Sequence, residues 1–295
     1  MFDSLFPLIQ KGDVRSLART LSLVENSVDG YLDFLKMLPK GTVPVVGITG
    51  PPGAGKSTLV DALIGCMVND GKRVGVLCVD PSSPFNLGAL LGDRIRMSHW
   101  YSNEQVFIRS LASRGSLGGL HPKIIELTHV MQQAAFDYII VETVGVGQSE
   151  VEIAGLADVT IVTLVPEAGD EVQTMKAGLM EIADVFVVNK ADRPDAIIFE
   201  KHLRQMLAPA FAKKSIEIPI LRTIASQNSG VDKLYQAIQK LLTYTKDDLK
   251  KLQLLTEKAF LLIQQKRMAD VSKQKLQEQI KANTGINIYK LVDGY

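Results

Sequence analysis

A chain of 295 residues, 46% apolar and 22% charged, has the material for one large hydrophobic core or two ordinary ones. Its formal net charge of +1 gives no electrostatic reason to expect nucleic acid or an anionic membrane as the main partner. Two cysteines cannot make a disulfide framework and suit a reducing compartment, and no apolar run approaches the roughly 18–20 residues of a membrane helix, so the expected location is cytoplasmic.

Residues 1–41 read as an N-terminal helical segment. The start, MFDSLFPLIQKGD, carries an acid at Asp3 and no basic run, which is unlike a secretory signal. LFPLIQKGDVRSLARTLSLVENSVDGYLDFLKML then places apolar residues at three- and four-residue intervals, as on the inner face of a helical cap. Over 42–245 the pattern changes to short β-branched runs alternating with helical stretches. The runs are VPVVGIT (43–49), VGVLCVD (74–80), VFIRS (106–110), YIIVET (138–143), VTIVTLV (159–165), DVFVVN (184–189) and IPILRT (218–223). Continuous apolar runs suit strands covered on both faces, so the expected fold is α/β, with a mostly parallel central sheet flanked by helices. Cys66, on a helical pattern, and Cys78, in a strand run, read as small buried hydrophobes.

Residues 246–295 read as a C-terminal helical extension with Leu249, Leu252, Leu255, Phe260, Ile263, Met268, Val271, Leu276 and Ile280 amid Lys, Gln and Glu. Such an amphipathic tail either packs on its own sheet or serves as a dimerisation arm.

Directly after the first strand run stands GPPGAGKST, residues 50–58, which fits G-x-x-x-x-G-K-[ST]. Gly50, Gly53 and Gly55, with Ala54 between, let backbone N–H groups converge on phosphates. Lys56 would neutralise the β- and γ-phosphates, the Ser57 hydroxyl would ligate Mg²⁺, and Thr58 continues into a helix whose N-terminus favours an anion. This context, strand then loop then helix, marks the fold as a P-loop NTPase.

DVFVVNKAD ends a later strand in Asn189, Lys190, Ala191 and Asp192. The Asp192 carboxylate can accept from guanine N1–H and the exocyclic amine, a donor pair that adenine lacks, so the expected nucleotide is GTP or GDP. Asn189 can tie this loop to the phosphate loop, and the stem of Lys190 can lie along the base. In DYIIVETVGVGQSE, Glu142 closes a strand where it could hold Mg²⁺ directly or through water, and Gly145 offers an N–H to the γ-phosphate. Gln148 lies three residues beyond Gly145, not beside it as in Ras-like enzymes, which weakens it as a water-positioning residue.

VDPSSPFNLGALLGDRIRM (79–97) is a long connection after a buried strand, and it reads as a switch in which Asp93 completes the metal shell and Arg94 and Arg96 address phosphate or a partner. IRSLASRGSLGGLH, with Arg109 and Arg114, and PEAGDEVQTMKAG, with Asp170, Glu171 and Lys176, suit the same role or simple helix capping.

Together these motifs resemble the methylmalonyl-CoA mutase-associated GTPases, the MeaB/ArgK branch of P-loop GTPases. The likeness runs from LIQKGDVRSLARTLSLVENS through GITGPPGAGKST, VDPSSPF, LGDRIRM, SRG-x-LGGL, VETVGVGQSE, AGDE-x-Q and NKAD, over most of residues 7–192. It implies a GTPase, a homodimer, that docks on an adenosylcobalamin-dependent acyl-CoA mutase and gates cofactor loading, protection or reactivation; slow intrinsic turnover, raised by the partner, is expected. It gives Lys56, Ser57, Asp93, Glu142, Asn189 and Asp192 their phosphate, metal and guanine roles, with Lys56, Asp93 and Glu142 nearest the chemistry. The family's Ser-Ala-Leu near the base is replaced by Ile224-Ala225-Ser226, which leaves Ala225 and Ser226 a backbone contact. Glu167 and Thr174 stand where the family has glycines, which adds charge and stiffness to the third switch segment.

Three other readings compete. A metal-insertion GTPase needs thiol or imidazole ligands at close spacing. His121 and His129, eight apart on one expected helix, are poorly placed for that. A transport-associated ATPase or kinase conflicts with NKAD, and a nucleotide-binding scaffold with negligible hydrolysis stays open.

Overall fold

The computed structural model describes residues 1–80, 97–112, 120–143, 149–168, 182–211, 218–243, 249–268, 271–282, 285 and 287–292. Two compact units divide it, Met1–Asp247 and Asp248–Tyr295.

The seven apolar runs all become strands of one sheet: β1 (Val45–Thr49), β2 (Val74–Asp80), β3 (Val106–Ala112), β4 (Tyr138–Glu142), β5 (Val159–Leu164), β6 (Val185–Val188) and β7 (Ile220–Arg222). Their order is β3-β2-β4-β1-β5-β6-β7, and every pairing is parallel. β1 starts two residues later than its apolar run, because Pro44 has no N–H for a ladder; its carbonyl still accepts from Ile139 at 2.9 Å. Parallel strands need crossovers, and four carry helices: α4 (Lys56–Asn69), α5 (Ile124–Met131), α6 (Ser149–Leu156) and α7 (Ala196–Phe211); α8 (Val231–Leu242) follows the last strand.

Alternate strand residues face opposite layers, which is why the runs are apolar throughout. On one face Val46, Ile48, Val76, Ile140, Ile161 and Val187 pack against Leu59, Leu63 and Met67 of α4 and Leu234 and Ile238 of α8. On the other, Val45, Leu77, Val79, Ile139 and Val141 meet α5 and the N-terminal helices α1 (Phe2–Gln10), α2 (Val14–Glu25) and α3 (Tyr31–Met37). A third cluster seats Phe199, Leu203 and Leu207 of α7 on Val162, Leu164, Phe186 and Val188. Full burial of each such side chain contributes roughly 1.5–3 kcal/mol, and truncating one to alanine costs about 2–5 kcal/mol.

The N-terminal helices form for local reasons as well. Asp13 caps α2 by accepting from the Ser16 amide at 2.8 Å, and α2 turns Leu17, Leu21 and Val24 inward. Phe2 and Phe34 stack with centroids 4.7 Å apart, joining α1 to α3. Arg109 projects from β3 to Glu25 of α2 at 2.7 Å, so this arginine ties the helical layer to the sheet.

Two expectations need correction. Cys78 is buried, but Cys66 is half-buried on α4. His121 precedes α5 instead of lying on it, since the residue before Pro122 is disfavoured in helical backbone; its carbonyl accepts from the Ile124 amide at 2.8 Å.

The second unit contains α9 (Leu249–Arg267), α10 (Lys273–Ala282) and α11 (Ile288–Val292). Leu252, Leu255, Phe260, Ile263 and Met268 are exposed along it. Among the described residues no helix is long and apolar enough to cross a membrane.

Candidate functional site

In an open parallel sheet, ligands bind beyond the carboxyl ends of the strands. Among the described residues, those expected from the sequence stand at or just past that end of β1, β4, β6 and β7. β1 stops at Thr49 and α4 starts at Lys56, so residues 50–55 must turn the chain sharply. Two positions in this turn admit only glycine. Gly50 has φ +141°, and a Cβ there would lie 2.0 Å from the Thr163 carbonyl oxygen; Gly55 has φ +83°, and its Cβ would lie 2.5 Å from Asn189 Nδ2. Between them the Ala54 amide donates to the Pro51 carbonyl at 3.3 Å, and Ala54 packs on Val165 just past β5.

Lys56 is buried and folds back across the loop, its Nζ donating to the carbonyls of Gly50 at 2.9 Å and Pro51 at 3.1 Å. Ser57 donates its hydroxyl hydrogen to Glu142 Oε1 at 2.7 Å. Thr58, half-buried, follows in the first turn of α4, whose free amides favour anions. Glu142 is 3% exposed at the end of β4, and beside it Thr143 donates to Thr49 at 2.9 Å.

A second buried carboxylate at this end was not singled out in the sequence. Asp80 closes β2 and is 2% exposed. Cys78, two residues before it, is the register partner of Glu142, so both carboxylates stand at the same end of neighbouring strands. Its signal was the acid that ends VGVLCVD. Ser57, Glu142 and Asp80 are all hard oxygen donors, the set that suits Mg²⁺. Asp61 was missed too: this α4 carboxylate takes the Trp100 indole N–H at 2.6 Å and so anchors the chain that follows residue 97.

Asn189 ties the phosphate loop to the segment that follows β7. Its Nδ2 donates to the Ala54 carbonyl at 3.0 Å, and its Oδ1 accepts from Thr223 Oγ1 at 3.0 Å and from the Ala225 amide at 3.2 Å. Lys190 takes the left-handed φ of +54° and donates from Nζ to the Gly53 carbonyl at 2.8 Å. The Ala191 amide donates to the Thr223 carbonyl at 3.0 Å. Asp192 and Ser226 are exposed beside this frame, and Ala225 is buried in it. Arg193 forms an ion pair with Glu167, which sits in the single turn Pro166–Ala168 after β5. Slight burial pushes the Glu167 carboxyl up, but the Arg193 hydrogen bond and charge, with Lys190 adding to them, bring it below its ordinary value.

Asp93, Arg94, Arg96, Arg114, Gly145, Gln148, Asp170, Glu171, Thr174 and Lys176 lie outside the described residues.

Comparison with known proteins meets this geometry. The profile of the family described as methylmalonyl Co-A mutase-associated GTPase MeaB matches residues 17–283. A relative from Pyrococcus abyssi, provisionally named a GTPase, is 47% identical over 245 residues, covering 81% of this chain and 76% of its own. A fused isobutyryl-CoA mutase of Geobacillus kaustophilus is 34% identical over 248 residues, covering 78% of this chain but 23% of that protein. Among solved structures, that of an LAO/AO transport system kinase superposes with a TM-score of 0.68 at 26% identity, covering 99% of this chain and 95% of the other.

Proposed function

The chain belongs to the methylmalonyl-CoA mutase-associated GTPase family and is a P-loop GTPase, and from that premise we propose that it is a cytoplasmic chaperone of an adenosylcobalamin-dependent acyl-CoA mutase, whose cofactor loading, protection or reactivation it gates through GTP binding and hydrolysis. The observation that carries the client assignment is the fused isobutyryl-CoA mutase, in which a segment like this chain accounts for under a quarter of a longer polypeptide. A GTPase built into one chain with a mutase has a free-standing relative that works on a separate one.

Each residue of the site has a task in that reading. The amides of the 50–55 turn and the Lys56 ammonium hold the β- and γ-phosphates, which take over the ammonium from the Gly50 and Pro51 carbonyls. Mg²⁺ neutralises phosphate charge when bound, and Ser57, Glu142 and Asp80 are the residues that would hold it. Ser57 can offer an oxygen lone pair while its hydrogen stays with Glu142. Asp192 takes the guanine edge, the Lys190 stem covers a base face, and Ala225 and Ser226 border it. Asp93 and Gly145 belong to the metal shell and the γ-phosphate contact in this scheme.

The exposed apolar residues of α9 support a homodimer, since a helix with Leu252, Leu255, Phe260 and Ile263 facing water gains by pairing. Cys66 and Cys78 stand as thiols and not as a disulfide, which suits the cytoplasm.

The deciding experiment is capture of purified acyl-CoA mutase by the chain loaded in turn with GDP and with a non-hydrolysable GTP analogue. Nucleotide-dependent capture of a cobalamin-dependent mutase is the expected result. No capture in either state would leave a GTPase with a different client.

A further inference from the structure

The turn that carries Asp192 is anchored unequally on its two sides. Its inner side is bound to the phosphate loop and to the end of β7 by Asn189, Lys190 and Ala191. On the outer side the Arg193 amide closes the turn on the Lys190 carbonyl at 3.0 Å, and the Arg193 side chain reaches Glu167. Glu167 stands on a firm base: Pro166 fixes the backbone before it, and Val165, one residue earlier, packs on Ala54. A closed circuit results, from phosphate loop to β5 end to base turn and back through Lys190 to Gly53.

The chemistry of Arg193 gives that circuit a purpose. A guanidinium presents two parallel N–H donors in a rigid fork that matches a carboxylate. Guanine presents the same kind of paired donor edge, through N1–H and the 2-amino group, and the carboxylate expected to receive it, Asp192, is the chain neighbour of Arg193. An Arg193 released from Glu167 would compete with the base for that carboxylate. We propose that Glu167 and Arg193 are positioning residues for guanine selectivity: Glu167 holds the Arg193 guanidinium through Nη1 and so reserves the Asp192 carboxylate for the base. The proposal rests on the GTP reading of the site. The lowered titration of Glu167 agrees with it, because the residue stays a carboxylate down into acid. Both side chains are about half exposed, at 44% and 50%, so the pair adds little to fold stability and its loss should not unfold the protein.

The test compares GDP with inosine diphosphate, which lacks the 2-amino group, by titration calorimetry on the full chain in wild-type, E167Q, R193Q and E167Q/R193Q forms. Wild type should prefer GDP. E167Q should weaken GDP binding by roughly threefold to tenfold while weakening inosine diphosphate less, so that the ratio narrows. Removing the competitor as well, in E167Q/R193Q, should recover most of the ratio. An unchanged ratio in E167Q, an equal loss for both ligands, or a double variant no better than E167Q would overturn the proposal while leaving guanine binding intact. Equal wild-type affinity for GDP and ADP would instead overturn the guanine reading, and this proposal with it.

Discussion

Ser57 and Glu142, 85 residues apart in sequence, meet in a buried hydrogen bond of 2.7 Å. The bond joins the first turn of α4 to the end of β4, two elements set side by side by the pairing of β1 with β4. It fixes the hydroxyl oxygen beside the phosphate loop, and a donor held in place costs less reorganisation when it is used.

Ser57→Ala removes that oxygen and leaves the Glu142 carboxylate without this donor. GTP hydrolysis should fall by at least roughly tenfold, and Mg²⁺ should no longer tighten GTP binding. Titrations of GTP with and without Mg²⁺ check this, and an unaltered Mg²⁺ effect would remove Ser57 from the metal site.

Asn189→Ala strikes stability and binding together. It withdraws the partner of the Ala54 carbonyl, the Thr223 hydroxyl and the Ala225 amide, all in buried surroundings. The expected cost is about 2–4 kcal/mol in urea unfolding, with a matching loss of nucleotide affinity.

Asp192→Asn should change the base preferred. An amide offers one donor and one acceptor where the carboxylate offers two acceptors, so the guanine edge loses a hydrogen bond and meets a like donor. GDP affinity should fall by roughly a hundredfold, and xanthosine diphosphate, with a carbonyl in place of the 2-amino group, should gain. Competition between the two nucleotides is the direct readout.

Burial raises the Cys66 thiol above its ordinary value, and the nearby Asp232 carboxylate pushes it the same way. The reactive thiolate is thus scarcer than in an unstructured chain at every pH below the shifted value. Iodoacetamide should label Cys66 more slowly in the folded protein than in urea at pH 8, with the folded rate still climbing above pH 9. Cys78, 2% exposed, should label only on unfolding.

Much of this is legible in the sequence. The strands are, because a run such as VGVLCVD can be satisfied only by burial on both faces. The phosphate loop and NKAD are too, because glycine placement and a strand-ending Asn-Lys-x-Asp encode backbone needs that few other folds share. What stayed hidden depends on register or on distance. Asp80 gains its meaning from the pairing of Cys78 with Glu142, which no local pattern announces. Glu167 and Arg193 are 26 residues apart, with no periodicity to join them, so the sequence showed an odd charge at 167 and not its partner. His121 was drawn into a helix by apolar spacing, although Pro122 already argued for a start beyond it.

The strand order also bears on how the molecule is made. β1 carries the phosphate loop, yet its neighbours come late: Val46 pairs with Ile140 on one side and Val159 on the other. While the ribosome is still translating the first hundred or so codons, the loop hangs from a strand with no ladder on either flank, exposing an apolar edge in the nascent chain. Site assembly is thereby deferred until the middle of the polypeptide has emerged from the exit tunnel. A translational pause placed after β5 has cleared the tunnel would favour productive folding, whereas truncation before β4 would yield fragments that bind no nucleotide and cling to chaperones.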